Sequence, residues 1–327
     1  MNNINEDLKG KLAIIIITKN HKEIMEEWMR IFPTQNRKAN VEVHVYDSSD
    51  NDDTQKICEE NSEFVHYLRF DPDIGPNDKI VYAMNTVEAE YVWLCGDGGI
   101  PNVDLVYDIL LKEFSKKTDV IHFFGKNQAN IAYKKKIGME DEIVYTDEEK
   151  REFFRDFWWS LAWWGVTIIN KRIIKNANFG EIIEKSEKAS FFYPTGICCS
   201  VQSLSNVRCL VIHHNCFTAN RKKIASSWRK EGQVIEIWSR TTVLTIEAMP
   251  EYFDKYKRHV MENSWLNNNF LTTRGLLDWR SNNLYNIQDY KLYKEYLTIT
   301  SQKNRFTLYC IARLPKKFCK WLLRFKK

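Results

Sequence analysis

A chain of 327 residues, 44% apolar and 13% aromatic, suits one large domain plus an appendage and excludes an intrinsically disordered protein. The net charge of +5 is uneven, because residues 301–327 carry nine Lys or Arg and no acid, leaving about −4 (5 − 9) for the rest. A mildly acidic body with a basic end argues against nucleic acid as a partner.

The first apolar run, Leu12 to Ile17, is far too short for a signal-peptide core or a membrane span, so the expectation is a body in the cytosol. Its β-branched composition predicts a strand buried on both faces. A helix follows over 23–31, with Ile24, Trp28 and Ile31 on one stripe. A second strand, 41–46, ends in Asp47-Ser-Ser-Asp50, and a polar helix over 53–61 leads to a third strand at 64–70. The Asp-, Pro- and Gly-rich loop 71–78 precedes a helix opening at Lys79, and a fourth strand, 91–95, runs into Gly96-Asp97-Gly98-Gly99. Alternation of this kind predicts a parallel sheet with helices on both faces, and ligands of such sheets bind beyond the carboxyl ends of the strands. Thr18, Asp47, Asp73 and Asp97 all fall there.

A helix at 103–114 and a strand at 120–124 come next, then a polar stretch, 125–152, that reads as loop or hairpin. The aromatic segment 153–164 precedes a short strand at 166–169, and helices are expected from 173 to 205. Residues 207–212 read as one last strand of the sheet. Beyond a boundary near 215, residues 219–249 and 251–270 show long helical patterns, and the chain closes in its basic tail. The eight cysteines include no CxxC pair and read as free thiols. Cys209, His213, His214 and Cys216 match no common zinc spacing.

Four of these segments, in order, resemble family-2 glycosyltransferases: Ala13-Ile-Ile-Ile-Ile-Thr18-Lys-Asn20, Val43-His-Val-Tyr-Asp47-Ser-Ser-Asp50, Asp73-Ile-Gly75 through Asn85, and Tyr91 to Gly99. They cover about a third of the chain, 12–105. The resemblance implies an α/β GT-A fold: a Rossmann-like, mostly parallel sheet flanked by helices, with residues 1–215 the nucleotide-sugar-binding catalytic domain and 216–327 a helical C-terminal extension. It also implies an inverting hexosyltransferase that moves a sugar from a nucleotide-sugar donor, a UDP-sugar in the first place, to a glycan acceptor on a polyprenyl carrier, as in bacterial capsule or surface polysaccharide synthesis.

A nucleotide sugar needs a carboxylate for its base or ribose and backbone groups close by. Asp47 takes that place, with Thr18 and Asn20 shaping the base pocket, Asp73 and Gly75 in the neighbouring loop, and Lys79 reaching the base or a phosphate. Taken alone, Asp47-Ser-Ser-Asp50 also reads as a polar turn capping the next helix. Neutralising the leaving diphosphate calls for Mg²⁺ or Mn²⁺ on carboxylates and phosphate oxygens, with Asp97 the first ligand and His213 a second. Gly98 and Gly99 stand where the family's motif carries further acids. The alternative reading is a non-catalytic relative that binds nucleotide or glycan.

Inversion needs a general base for the acceptor hydroxyl. Glu187, with Glu184 beside it, is best placed, and Asp156 is the alternative. Trp163 and Trp164 close an aromatic run that resembles acceptor-side segments of surface-polysaccharide transferases, and the same residues also read as core. From Phe306 to Lys327, apolar residues interleaved with Lys and Arg fit a helix lying in an anionic membrane surface, placing the enzyme at the inner face of the cell membrane.

Overall fold

The computed structural model describes residues 8–124, 142–178, 181–182, 191–219, 233–267 and 269–325. Its first part alternates as the periodicity requires: β1 (Leu12–Thr18), α1 (Lys22–Ile31), β2 (Glu42–Asp47), α2 (Asp53–Glu59), β3 (Val65–Arg69), α3 (Pro76–Thr86) and β4 (Tyr91–Gly96). Helix α3 opens three residues before Lys79, because Pro76 occupies its first position, where a fixed φ helps and a missing N–H costs nothing.

Next come β5 (Gly99–Pro101), α4 (Val103–Ser115), β6 (Val120–Phe123), β7 (Glu142–Tyr145), α5 (Lys150–Leu161), β8 (Thr167–Asn170), α6 (Lys171–Ala177), α7 (Phe192–Ser203), β9 (Cys209–Ile212) and β10 (Phe217–Ala219). Eight of these strands form one sheet in the order β3-β2-β1-β4-β8-β6-β9-β7. The first four pair in parallel, β8 runs antiparallel between β4 and β6, β9 is parallel to β6, and β7 is antiparallel to β9. The strand expected at 207–212 therefore lies inside the sheet, and β7 takes the edge.

β1 shows why the sheet is buried on both sides. Ala13, Ile15 and Ile17 face one core, with Ile80, Ala83 and Met84 of α3. Leu12, Ile14 and Ile16 face the other, with Met25 and Trp28 of α1 and Val103 and Val106 of α4. A period of two places a continuous apolar run on both faces, and each isoleucine so buried contributes about 1.5–3 kcal/mol.

Past β10 come α8 (Gln233–Glu236), a π turn (Ile237–Thr241), α9 (Thr242–Glu247), α10 (Asp254–Glu262), α11 (Ser264–Asn267), α12 (Thr273–Ser281), α13 (Ile287–Ser301), α14 (Arg305–Arg313) and α15 (Lys316–Arg324). The two long helices expected over 219–270 are thus shorter pieces, and Pro250 separates α9 from α10 by removing a backbone donor. These helices cover the aromatic face of α5. Trp159 stacks on Trp238 with centroids 5.6 Å apart, and its indole N–H donates to the Val260 carbonyl at 3.2 Å. One apolar cluster runs from Ala13 to Ala312, and β10, beyond residue 215, pairs with β5.

Candidate active site

Strand order reverses at β1: β2 and β3 lie on one side of it, β4 on the other. A crevice opens beyond the carboxyl ends of neighbouring strands at such a reversal. Asp97, one residue past β4, reaches across it. Its Oδ2 accepts a hydrogen bond from the Thr18 hydroxyl at 2.9 Å and meets His21 Nδ1 at 2.5 Å. Asp97 keeps 16% of its side chain exposed and His21 keeps 25%, so the pair borders solvent. The hydrogen bond to Asp97 raises the pKa of His21 and holds the imidazolium to higher pH. His21 also stands at the N-terminus of α1, where the helix dipole favours anions.

The neighbouring turn is tied to the same point. Asp47 is fully buried, and its Oδ1 accepts from the backbone N–H of Ser49 at 2.9 Å and from its hydroxyl at 2.5 Å. The other oxygen accepts from the Tyr67 hydroxyl at 3.0 Å. One oxygen thus serves the turn after β2 and the other the neighbouring strand β3, while α2 has no side-chain cap hydrogen bond. Asn20, with φ of 57°, donates its backbone N–H to Ser49 Oγ at 2.7 Å and pairs with Asp50 through both amide atoms. Lys79 is also buried, and its ammonium donates to the Thr18 carbonyl at 2.7 Å and to Ser48 Oγ at 2.8 Å. Burial pulls its pKa down to about 8, so the fold holds a cation at this edge against its own desolvation cost.

Asp73 lies exposed in the loop before α3, and Gly75 is that helix's N-terminal cap with an ordinary φ of −72°. Gly98 opens on free space, so packing leaves room there for the acid that the chain lacks. At Gly99 a side chain would meet the Phe217 ring at 3.4 Å. The Trp164 ring lies over Gly96, 3.6 Å from where a Cβ would stand, and is 37% exposed. Trp163 instead stacks on Trp238 and lies tilted against Phe270. The aromatic run thus divides between core and crevice.

His213 and His214 lie in the turn between β9 and β10, and β10 pairs with β5, which begins two residues after Asp97. His214 turns its Nδ1 to the Asn215 carbonyl at 2.8 Å. Asp156 is ion-paired to Arg155 at 2.7 Å and accepts from the Tyr145 hydroxyl at 2.8 Å, within the packing of α5. Glu184 and Glu187 lie outside the described residues. Asp97 offers a divalent ion one carboxylate, and both of its contacts fall on Oδ2. Mg²⁺ bound through a single carboxylate plus substrate phosphates and water fits that arrangement.

No protein-family model matches the chain, and no curated protein sequence does. Among solved structures it is similar to S. aureus TarS 1–349, at TM-score 0.55 and 13% identity over 92% of this chain and 90% of that one. The same fragment in complex with UDP-GlcNAc matches at TM-score 0.55 and 12% identity, with the same coverage. A longer TarS chain matches at TM-score 0.52 and 13% identity, over 92% of this chain and 55% of that one. The fold is of the GT-A type. At such identity the likeness concerns the backbone, and it agrees with the α/β class expected from the alternation of elements.

Nothing local in the sequence singles out His21. It stands in the turn Thr18-Lys-Asn-His21 after the first strand, and only the pairing of β1 with β4 brings it to Asp97.

Proposed function

We propose that this chain is a glycosyltransferase that moves a sugar, with inversion, from a UDP-sugar to a lipid-linked glycan acceptor in bacterial surface polysaccharide synthesis. One observation carries the reading: Thr18, His21 and Asp97 meet across the strand-order reversal, where open α/β sheets bind their ligands. The similarity to a TarS fragment crystallised with UDP-GlcNAc supports the choice of donor.

In this reading the nucleotide lies over the turns after β1 and β2, shaped by Asn20, Asp47 and the loop of Asp73 and Gly75. The diphosphate faces the N-terminus of α1, His21 and Lys79. The Lys79 ammonium, the His21 imidazole, whose protonated form Asp97 favours, and a helix terminus offset the charge that grows on the leaving UDP oxygen. Mg²⁺ or Mn²⁺, when bound at Asp97, would supply further charge neutralisation there. Trp164, exposed over Gly96, offers an apolar platform to a sugar ring. Glu187 is the proposed base for the acceptor hydroxyl, and His213 the proposed second metal ligand. Calorimetry with UDP, and UDP release from a panel of UDP-sugars, test the assignment. Micromolar UDP binding with release from one donor is expected, whereas binding without release from any donor would establish the non-catalytic alternative.

The membrane part rests on the tail. Among the described residues no helix is long and apolar enough to cross a membrane. Pro315 splits the expected tail helix into α14 and α15, and α15 docks on α12, with Cys319 buried and Arg274 donating to the Leu323 carbonyl at 3.2 Å. On its outer face Phe318 stacks on Trp321 at 5.3 Å and Trp321 meets Phe325 edge to face at 4.5 Å, all exposed, beside Lys316, Lys317, Lys320 and Arg324. Aromatic rings beside a basic row suit an anionic lipid surface. In vesicle sedimentation, binding to phosphatidylglycerol should exceed binding to phosphatidylcholine. Replacing Phe318, Trp321 and Phe325 with alanine should weaken it by about a hundredfold, since each half-exposed ring contributes about 1 kcal/mol. Equal binding by the triple variant removes the tail from the reading.

A further inference from the structure

We infer that Glu42, His44 and His66 form a binding site for a divalent transition-metal ion, zinc in the first place, at the outer edge of the sheet and away from the nucleotide crevice. Glu42 and His44 are two residues apart on β2 and therefore project from the same face. β3 pairs with β2 in parallel, and its register sets His66 directly beside His44. Their neighbours Val43 and Val45 point the other way, into a core, so the three ligating side chains are left together on the opposite face.

The geometry is close to what an ion needs. His66 Nε2 stands 3.2 Å from Glu42 Oε2, the two imidazole rings stack at 4.7 Å, and one ligand atom from each residue can be chosen so that all lie within 4.8 Å of one another. Bonds of about 2.1 Å in a tetrahedron set ligand atoms about 3.4 Å apart, so the Glu42–His66 edge is already formed, and the two stacked rings turn about their side-chain bonds to bring their in-plane lone pairs onto one ion. Among the described residues this is the one group of three His, Cys, Asp or Glu that meets such a criterion, and neither Asp97 nor His213 belongs to one. Two imidazoles with one carboxylate suit zinc and its neighbours in the first transition row, and leave coordination places for water. His44 is half-buried between its strand neighbours, and His66 beside it is exposed. Lys9, 3.2 Å from Glu42 Oε1, compensates the carboxylate and is the group that an incoming cation displaces.

The site joins β3, the last strand of the sheet, to β2. Glu42 opens β2 and Asp47 closes it, five residues or roughly 17 Å away at about 3.3 Å per residue. An ion there fastens the sheet edge without entering the crevice. This holds whether or not the chain is a glycosyltransferase.

The test uses the full chain, stripped with a chelator and titrated with zinc chloride by calorimetry, with melting temperature as a second readout. Wild-type protein should take up one ion at this site and melt at a higher temperature with zinc. His66→Gln and Glu42→Gln, both on accessible side chains, should each weaken uptake at least tenfold and remove the thermal shift. Glu59→Gln, on an exposed residue of α2 that belongs to neither site, should leave both unchanged. Uptake that survives both edge substitutions places the ion elsewhere and overturns the inference, as does no heat and no thermal shift in the wild type at about 1 mM zinc.

Discussion

Replacing Asp97 with alanine is expected to lower sugar transfer from a UDP-sugar by two to three orders of magnitude, about 2.7–4 kcal/mol of transition-state stabilisation. The carboxylate joins the ends of β1 and β4 through Thr18 and fixes the imidazolium of His21 at the N-terminus of α1. Without it, the His21 pKa falls back, the ring loses its orientation, and a bound divalent ion loses its one carboxylate. Stability should change little, because the side chain is partly exposed and touches only polar partners. The comparison is UDP release by wild type and variant at saturating donor, with melting temperature as the control. Unchanged turnover in a folded Asp97→Ala protein would remove this site from the reaction.

Lys79→Met should weaken UDP binding by about ten- to a hundredfold, or 1.4–2.8 kcal/mol, by removing a buried cation from the diphosphate side of the crevice. Its effect on stability is smaller and depends on pH. The Lys79 pKa, lowered by burial to about 8, lies below its ordinary value of 10.5. Between these two values the unfolded chain holds a proton that the native chain has lost, so stability rises with pH across that window, by up to about 1.4 kcal/mol per unit. Below about 8 both states are protonated and the desolvation cost is borne in full. Methionine removes that cost but leaves the Thr18 carbonyl and the Ser48 hydroxyl without their donor, a loss of about 1–3 kcal/mol. Near neutral pH the two terms largely offset. The rise in melting temperature between pH 8 and 10 should flatten in the variant. A variant that binds UDP as tightly as wild type reduces Lys79 to a strut under the β1 turn.

How much of this was legible depended on whether the decisive contacts were local. The all-apolar run of β1 and the strand before Asp97 announce themselves, because a strand buried on both faces has a composition of its own. Asp47 was harder. Its sequence context allowed either a ligand contact or a turn, and only burial beside Tyr67, brought in by β3, shows both of its oxygens in use. Trp163 and Trp164 are adjacent and chemically identical, yet one joins the column of Trp238 and Phe270 and the other lies over Gly96. Nothing in their order distinguishes them.

The sequence by itself determined the alternating strands and helices from β1 to β4 and the polar residues at the carboxyl ends of those strands, since apolar period and the residues after each strand act within a few positions of one another. The tertiary structure alone decided what meets there. His21 and Asp97 are 76 residues apart and touch because β1 pairs with β4. Likewise Glu42, His44 and His66 gather only through the register of β2 on β3, and β8 enters between β4 and β6 against the direction of its neighbours. Strand order and register follow from the packing of both cores at once, and that is a property of the whole chain that no local window contains.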